Sequence, residues 1–402
     1  MSSNKKLLSS ASGFNNLDSS SPAKYLITHN FKVYDISNNY SDVTSTFFSG
    51  SFPTSWAGSS ERLHHGWQDN GYRSKYVGFG GWGRNAAVGG AILNIDNAGG
   101  SGNLWTATSN YDNSTYFFGG TGSAIATVLA PQGNSGDYFW YHVNDNENSG
   151  VAQISTGTNQ TGEWSELEDT GAVNVATWGN YIAVANEDNK DISIGAFNTN
   201  GTSSGDRDSD SLPSTFDSSG AIKVSKGGNV IAVASGSVNN NTGLYVYTGA
   251  NIADYNGSST SLSSNRTIVN VIPSSETGNV TSDNLEAIGI SDDEKYIAVA
   301  YRLYYTPFFG ISIIDIDNSF SVSKVSTPAG AGSNCRHKDI VWYPDNDTFF
   351  CAGYANAPNI ECKQSTLSTS KNLDNHGTNS LSLITSSLMG ATVLPDDWRD
   401  GF

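Results

Sequence analysis

Four aspartates come nearest to the spacing of a metal site. Three of them occupy alternate positions and the fourth stands at the twelfth position of the same segment: Asp206, Asp208, Asp210 and Asp217. Calcium loops supply carboxylate oxygens at a similar spacing. The glycine that such a loop needs for its sharp turn is replaced by Ser211, and Pro213 lies inside the segment. The segment therefore predicts a solvated acidic loop, with a calcium site as the alternative and no other cofactor.

Soft metal ligands lie in one later part of the chain: Cys335, His337, Cys351 and Cys362. Zinc sites usually show tight paired spacings, and these residues lack them. We therefore expect free buried thiols. Cys351 and Cys362 are about equally far from a predicted hairpin loop near Ala357, so a cross-strand disulfide is the alternative.

Other patterns carry little catalytic chemistry. The glycine-rich segment 78–83 superficially resembles a phosphate loop, but no helix follows it, so we interpret it as a hairpin loop. His64 and His65 are adjacent on a predicted strand and would point to opposite faces. A Gly-x-Ser-x-Gly nucleophile elbow is missing from the sequence. These observations favour a protein that is not an enzyme.

An aromatic segment, residues 301–309, joins two predicted strands. Hairpin loops are normally polar, so large aromatic side chains here need burial or a partner. They either pack on a neighbouring sheet or anchor an interface, where aromatic residues and arginine are enriched. The candidate interface residues are Tyr304, Tyr305, Phe308 and Phe309.

Composition narrows the class of protein. The chain has 402 residues, 21 basic and 38 acidic, and a formal net charge of -17. This acidic balance argues against nucleic-acid binding, which needs a basic surface. No apolar run approaches the length of a membrane helix or of a secretory signal, and three cysteines are too few for a disulfide framework. We expect synthesis in a cytosol and no membrane insertion.

A repeat organises the elements. Ile-Ala-Val-Ala begins at Ile182, Ile231 and Ile297, each time after a turn that follows another strand-like run. A polar loop and a third run come next. The same unit of strands recurs six times between residues 61 and 386. Runs that are apolar on both faces are typical of strands buried between two sheets, as in the radial array of a β-propeller.

The seventh unit is divided between the chain ends. Residues 391–394 resemble a first strand followed by its turn, whereas residues 24–29 and 31–36 resemble a second and a third strand. We therefore predict an all-β, seven-bladed β-propeller over residues 23–402, with one blade closed by strands from both termini. A β-sandwich with additional domains is the alternative. Residues 1–22 are predicted to form an extended arm.

The start of the chain reads Met-Ser-Ser-Asn-Lys-Lys-Leu-Leu-Ser-Ser-Ala-Ser-Gly. It resembles the start of virion structural proteins of marine phages, especially cyanophages, in Lys5, Lys6, Leu7 and Leu8 and in the later Ala and Gly. The rest of the chain resembles WD40-type propellers in general terms. The resemblance covers about a dozen residues and transfers no catalytic residue.

That resemblance implies a non-enzymatic structural component of a virus particle, associated with the tail or fibre. Such a protein would be made in the host cytoplasm and located in the virion, with other virion proteins as partners in a symmetric assembly. The arm residues Lys5, Lys6, Leu7 and Leu8 would dock onto the particle, and the propeller would meet a host surface glycan during attachment. The alternative is a glycan-binding or glycan-processing propeller.

Overall fold

The computed structural model shows an all-β chain whose strands pair antiparallel. It describes residues 21–30, 32–47, 62–64, 76–82, 90–95, 124–130, 138–144, 149–155, 164–168 and 172–400, the last range with gaps at 180, 187–188, 198–202, 215, 237–242, 274, 277–284, 331, 374–383 and 385–387. The helical segments in this part are a short helix, α1 (Thr44–Phe47), and 3₁₀ turns at Ile36–Asn38, Ile252–Asp254 and Leu262–Asn265. No helix among the described residues is long and apolar enough to cross a membrane.

The strands follow one another in small groups. The first group is β1 (Ala23–Thr28), β2 (Val33–Asp35) and β3 (Ser41–Asp42). The second is β4 (Arg62–His64), β5 (Tyr76–Trp82) and β6 (Gly90–Asn94), and the third is β7 (Ala124–Ala130), β8 (Tyr138–Asn144), β9 (Ser149–Ser155) and β10 (Trp164–Glu168). The second and third groups share one sheet, joined where β5 pairs with β7 at Trp82 and Ala124.

The later groups repeat the same four-stranded pattern. They are β11 (Ala172–Trp178), β12 (Tyr181–Asn186), β13 (Asp191–Phe197) and β14 (Ser203–Ser211); then β15 (Phe216–Val224), β16 (Ile231–Gly236), β17 (Leu244–Tyr247) and β18 (Arg266–Val269); then β19 (Leu285–Ile290), β20 (Tyr296–Arg302), β21 (Phe309–Asp315) and β22 (Ser321–Lys324); then β23 (Cys335–Trp342), β24 (Thr348–Ala355), β25 (Ile360–Lys363) and β26 (Ser368–Asn372). Within each group, successive strands pair antiparallel.

One four-stranded sheet combines both ends of the chain. The last strand, β27 (Ala391–Pro395), pairs antiparallel with β1, giving the order β27-β1-β2-β3. In this register Tyr25 faces Leu394, and Thr28 faces Ala391. The predicted pairing of a C-terminal first strand with an N-terminal second strand is therefore present. We call this group the split sheet.

The repeat in the sequence corresponds to the strand groups. Each Ile-Ala-Val-Ala copy lies in the second strand of its group, namely in β12, β16 and β20, and these residues are buried. The prediction of a glycine-rich hairpin loop at residues 78–83 is wrong. Most of that segment belongs to β5, where Gly78 pairs with Ile92 of β6. Hydrogen bonds to the neighbouring strand hold this backbone extended, although glycine residues alone would leave it flexible.

Hydrogen bonds join the turn between the first and second strands of one group to the corresponding turn of the next group. The indole Nε1 of Trp178 donates to the carbonyl oxygen of Lys226 at 2.9 Å. The Asn229 amide donates to the Glu294 carboxylate at 2.8 Å, and the Asp293 backbone N–H donates to Asn346 Oδ1 at 2.9 Å. We call this end of the sheets the hairpin end. Loops between second and third strands lie at the opposite end, because adjacent strands run antiparallel.

Small residues allow the sheets to approach closely. A Cβ added to Gly289 of β19 would lie 2.6 Å from the Ile340 side chain on β23, so the first strands of neighbouring groups are in direct contact there. Ala298 and Ala300 of β20 are buried in the same apolar cluster as Ile340. Four-stranded antiparallel sheets that stack face against face make this a propeller-like all-β fold.

Candidate functional site

Two tyrosines form the most exposed aromatic surface in the described part of the chain. Tyr304 and Tyr305 are 55% and 58% exposed, and their ring centroids lie 4.8 Å apart in a T-shaped arrangement. They belong to the loop between β20 and β21, opposite the hairpin end. We call them the tyrosine pair. Large exposed aromatic side chains are typical of binding hot spots.

The loop that carries the tyrosine pair is pinned at several points. The Leu303 backbone N–H donates to the Phe308 carbonyl at 2.9 Å, and the Phe308 N–H donates to the Tyr305 carbonyl at 2.7 Å. A third backbone bond comes from the next connection, where the Gly330 N–H donates to the Pro307 carbonyl at 3.2 Å. The two tyrosines are therefore presented on a structured backbone, which lowers the ordering cost of binding.

The other two aromatic residues of this loop point inward. Phe309 is 1% exposed, and its ring meets the His337 ring at a centroid distance of 4.5 Å. Phe308 is half-buried and packs against the apolar cluster that contains Ile340. Both interpretations of the segment thus apply to different residues: Phe308 and Phe309 pack on a neighbouring sheet, whereas the tyrosine pair is free for a partner.

The aspartates do not form the predicted acidic loop. Asp206, Asp208 and Asp210 lie in strand β14, and Asp217 lies in β15 of the next group. The loop prediction is wrong, because pairing with β13 draws this polar segment into the sheet. The fourth residue of the proposed calcium spacing is consequently on a different sheet from the first three.

Two of these carboxylates connect β14 to the next group. Asp210 accepts from Arg266 Nη1 at 3.0 Å and from the Tyr247 hydroxyl at 3.0 Å. Asp208 accepts from the Leu262 backbone N–H at 2.7 Å. Burial and the nearby Asp210 carboxylate raise the pKa of Tyr247, so its hydroxyl remains a donor. Among the described residues, no group of three or more acidic, histidine or cysteine side chains is placed to hold a metal ion.

A buried charged cluster joins the first strands of several groups. Glu286 of β19 faces Arg336 and Lys338 of β23, with closest N–O distances of 3.5 Å and 3.7 Å. Lys223 of β15 donates to Asp339 of β23 at 3.0 Å. The side chains of Glu286 and Lys338 are 2% and 3% exposed. The sequence analysis missed this cluster, although charged residues inside otherwise apolar first strands were a signal for it.

The second carboxylate oxygen of Asp339 extends the cluster to the split sheet. It accepts from the Ala391 backbone N–H of β27 at 3.2 Å. The cluster thus spans the first strands β15, β19, β23 and β27. Three cations and two carboxylates can hold the strands in register. Glu286 and Lys338 are almost fully buried, whereas the side chains of Lys223 and Arg336 are 27% and 23% exposed. Because each buried ion loses its hydration, these ion pairs are weak evidence for stability.

The cysteines are free and buried, as predicted. No disulfide is formed, and the two cysteines are not directly opposed: Cys351 faces Ile360 and Cys362 faces Phe349. They are diagonal neighbours whose thiols are hydrogen-bonded to each other. Burial raises the pKa of the Cys351 thiol, which keeps it protonated. His337 Nε2 donates a hydrogen bond to the Pro358 carbonyl oxygen at 3.0 Å. Lys5, Lys6, Leu7 and Leu8 lie outside the described residues.

No family model and no curated protein matches this chain. Among solved structures, it is similar to a 6-phosphogluconolactonase-like protein from Bacteroides uniformis, with 12% identity, a TM-score of 0.57, and coverage of 93% of this chain and 100% of the other. It is also similar to a chain in the mitotic checkpoint complex, with 10% identity, a TM-score of 0.48, and coverage of 88% and 93%. A eukaryotic initiation factor matches with 13% identity, a TM-score of 0.42, and coverage of 92% and 98%.

These similarities concern the fold. At 12% identity, the first match supports a propeller-like all-β architecture over nearly the whole chain. It carries no residue of that protein's site to this chain, because one fold hosts many unrelated functions.

Proposed function

We propose that the strand groups are the blades of a seven-bladed β-propeller, closed by the split sheet. Seven groups follow from the strand pairing when the two larger sheets are divided where they join at Trp82–Ala124 and Gly236–Leu285. The ion pair between Lys223 and Asp339 supports a curved arrangement of the groups. It joins β15 to β23 at 3.0 Å, although β19 lies between them in the chain. Such a contact is expected where the first strands are arranged around a common axis.

We further propose that this propeller is a non-enzymatic structural component of a virus particle, associated with the tail or fibre and part of a symmetric assembly. The N-terminal arm would attach it to other virion proteins, and the opposite end of the sheets would meet a partner such as a host surface glycan. The resemblance of residues 5–13 to phage virion proteins supports the location, and the tyrosine pair supports the binding role.

The observation that carries this proposal is the placement of the tyrosine pair relative to the arm. The described chain enters β1 at Ala23, directly beside Pro395 at the end of β27, so the arm leaves at the hairpin end of the split sheet. Tyr304 and Tyr305 lie at the opposite end of the strands in their own group. A propeller built this way attaches through one face and presents the other.

The location is tested by mass spectrometry of purified phage particles from the source of this gene. Peptides of this chain at a fixed copy number relative to a major tail protein are the expected result. Their absence from purified particles, with the protein present in the infected cell, would contradict a virion location.

The binding role is tested with the double variant Tyr304→Ser, Tyr305→Ser. Because both side chains are more than half exposed, we expect unchanged folding and at least a tenfold loss of particle adsorption to host cells. The matched control is Ile268→Ser, Val322→Ser, which removes the two other large hydrophobic side chains found exposed in the described part of the chain. Equal adsorption by both double variants would contradict a role for the tyrosine pair.

The second candidate is a glycan-binding or glycan-processing propeller outside any particle. The tyrosine pair favours it too, because exposed aromatic rings on a pinned loop suit a sugar face. The similarity to the B. uniformis protein concerns the fold and does not distinguish the binding form from the enzymatic form. A glycan array with the wild-type protein and the tyrosine double variant tests binding, and a glycoside-hydrolase screen tests processing.

A further inference from the structure

The loop of the tyrosine pair belongs to a larger surface whose sequence carries no charge. Three connecting segments meet there: residues 303–310, 325–334 and 355–359. None of these segments contains an acidic or a basic residue. The Gly330 N–H donates to the Pro307 carbonyl at 3.2 Å, which joins the first two segments. The Cys335 thiol, directly after the second segment, donates to the Asn356 carbonyl of the third at 3.1 Å. We call the three segments the uncharged surface.

The rest of the chain is strongly acidic, with a formal net charge of -17. The molecule as a whole therefore repels an acidic ligand, and the uncharged surface has no lysine or arginine to pair with one. Lys324, which borders the second segment, is paired with Glu276. Arg302 and Arg336, near the ends of the first and second segments, are half-buried. A cationic ligand likewise finds no carboxylate in the three segments, so the charge pattern favours a neutral ligand.

The exposed side chains of the uncharged surface include aromatic, hydroxyl and amide groups. Tyr304 and Tyr305 are more than half exposed, and Thr306, Ser333 and Asn334 are exposed as well. The two tyrosine rings are perpendicular, with an interplanar angle of 89°, so a flat ligand that stacks on one ring meets the other ring at its edge. A neutral pyranose sugar suits this set of groups, because it presents C–H bonds to an aromatic ring and hydroxyl groups to polar side chains.

We propose that the uncharged surface binds neutral pyranose sugars and discriminates against acidic ones. One sugar ring stacks on a ring of the tyrosine pair, and its hydroxyl groups form hydrogen bonds with the hydroxyl and amide side chains beside it. This inference rests on the glycan-binding role proposed for the tyrosine pair and adds the class of sugar. Because the contact contains no ion pair, added salt leaves the affinity nearly unchanged.

A glycan array probed with the full-length protein tests the class of sugar. The array carries neutral oligosaccharides that end in glucose, galactose or mannose, each beside the same oligosaccharide with a uronic acid, sulfate or phosphate group at its end. We expect at least tenfold stronger binding to the neutral member of a pair, and less than a twofold change in affinity between about 50 and about 500 mM NaCl.

Two kinds of failure are distinguishable on this array. A preference for the acidic glycans, or for a choline-bearing glycan included as a cationic probe, would overturn the inference and leave the glycan-binding role in place. If the wild-type protein binds no glycan more strongly than the tyrosine double variant does, the glycan-binding role is contradicted and the inference fails with it.

The variant Thr306→Lys places a positive charge directly beside Tyr305 on an exposed position. It should raise binding to the acidic glycans at least fivefold and leave binding to the neutral ones within twofold, because an ammonium group attracts a carboxylate, sulfate or phosphate. The matched control Thr306→Gln adds a longer side chain without the charge and should keep the preference of the wild type. An unchanged preference in Thr306→Lys would overturn the proposal, since the bound sugar would then lie away from the tyrosine pair.

Discussion

At the scale of single residues, partners decide what a side chain does. Asp210 has the spacing of a metal ligand, but its oxygens accept from Arg266 and Tyr247. Tyr304 and Phe309 belong to the same aromatic run, yet one is 55% and the other 1% exposed. Residue types alone therefore identify candidate functional residues, and the neighbouring residues in the fold determine the role of each one.

Two histidines, the buried His337 and the half-buried His29, predict a loss of stability in mild acid. Burial lowers the pKa of both His29 and His337 to about 4, from the ordinary value of 6.5. The unfolded chain takes up a proton as the pH falls below 6.5, whereas the folded chain does so only near pH 4. The contribution of each histidine to the free energy of unfolding is therefore fully present above pH 6.5. It is lost as the pH falls from 6.5 to 4, by about 3 kcal/mol for each histidine.

Urea unfolding of wild type and His337→Gln between pH 7.5 and pH 5 measures this effect. The free energy of unfolding should fall with decreasing pH in both proteins, but less steeply in the variant, which keeps only His29 of this pair. His29→Gln is the matched control and should remove a similar share of the slope. Parallel curves for wild type and both variants would show that neither histidine is buried neutral.

At the scale of elements, the split sheet gives the clearest expectation. Removing residues 388–402 deletes β27 and leaves β1 with an unpaired edge. It also removes the buried side chains of Leu388, Leu394 and Trp398. At roughly 1.5–3 kcal/mol for each large apolar side chain, we expect a fall of more than about 5 kcal/mol in the free energy of unfolding, measured by chemical denaturation.

A milder variant keeps this prediction testable where the truncated chain fails to fold. Leu394→Ala should cost about 2–5 kcal/mol, as large-to-small changes in a core do, because Leu394 is fully buried. Deletion of residues 401–402 alone is the control and should leave stability unchanged. A Leu394→Ala protein as stable as wild type would contradict a structural role for the pairing of β27 with β1.

At the scale of the whole molecule, the arm is expected to serve attachment. Deleting residues 2–20 should keep the cooperative melting transition, because β1 begins at Ala23. Incorporation into particles should be abolished, which western blotting of purified particles measures.

The control for that deletion is Lys5→Ala, Lys6→Ala, Leu7→Ala, Leu8→Ala in a chain of full length. It should lose incorporation to the same extent, since these residues supply the charge and the apolar contact. Normal incorporation of the deleted protein would defeat the attachment hypothesis and direct attention to the tyrosine pair.

The order of the strands was available from the sequence by itself. The Ile-Ala-Val-Ala copies and the turns before them predicted the second strands β12, β16 and β20, and the two chain ends predicted the pairing of β27 with β1. These features are local or repeated, because a strand reveals itself through its two-residue period and its bounding turns.

Burial and partnership were decided by the tertiary structure. Lys223 and Asp339 are 116 positions apart and meet at 3.0 Å, and Tyr25 of β1 pairs with Leu394 of β27. No window of sequence contains such pairs. The same reason explains the acidic strand β14, whose residues are polar enough for a loop. It pairs with β13 because β13 supplies the hydrogen bonds that the backbone of β14 would otherwise make with water.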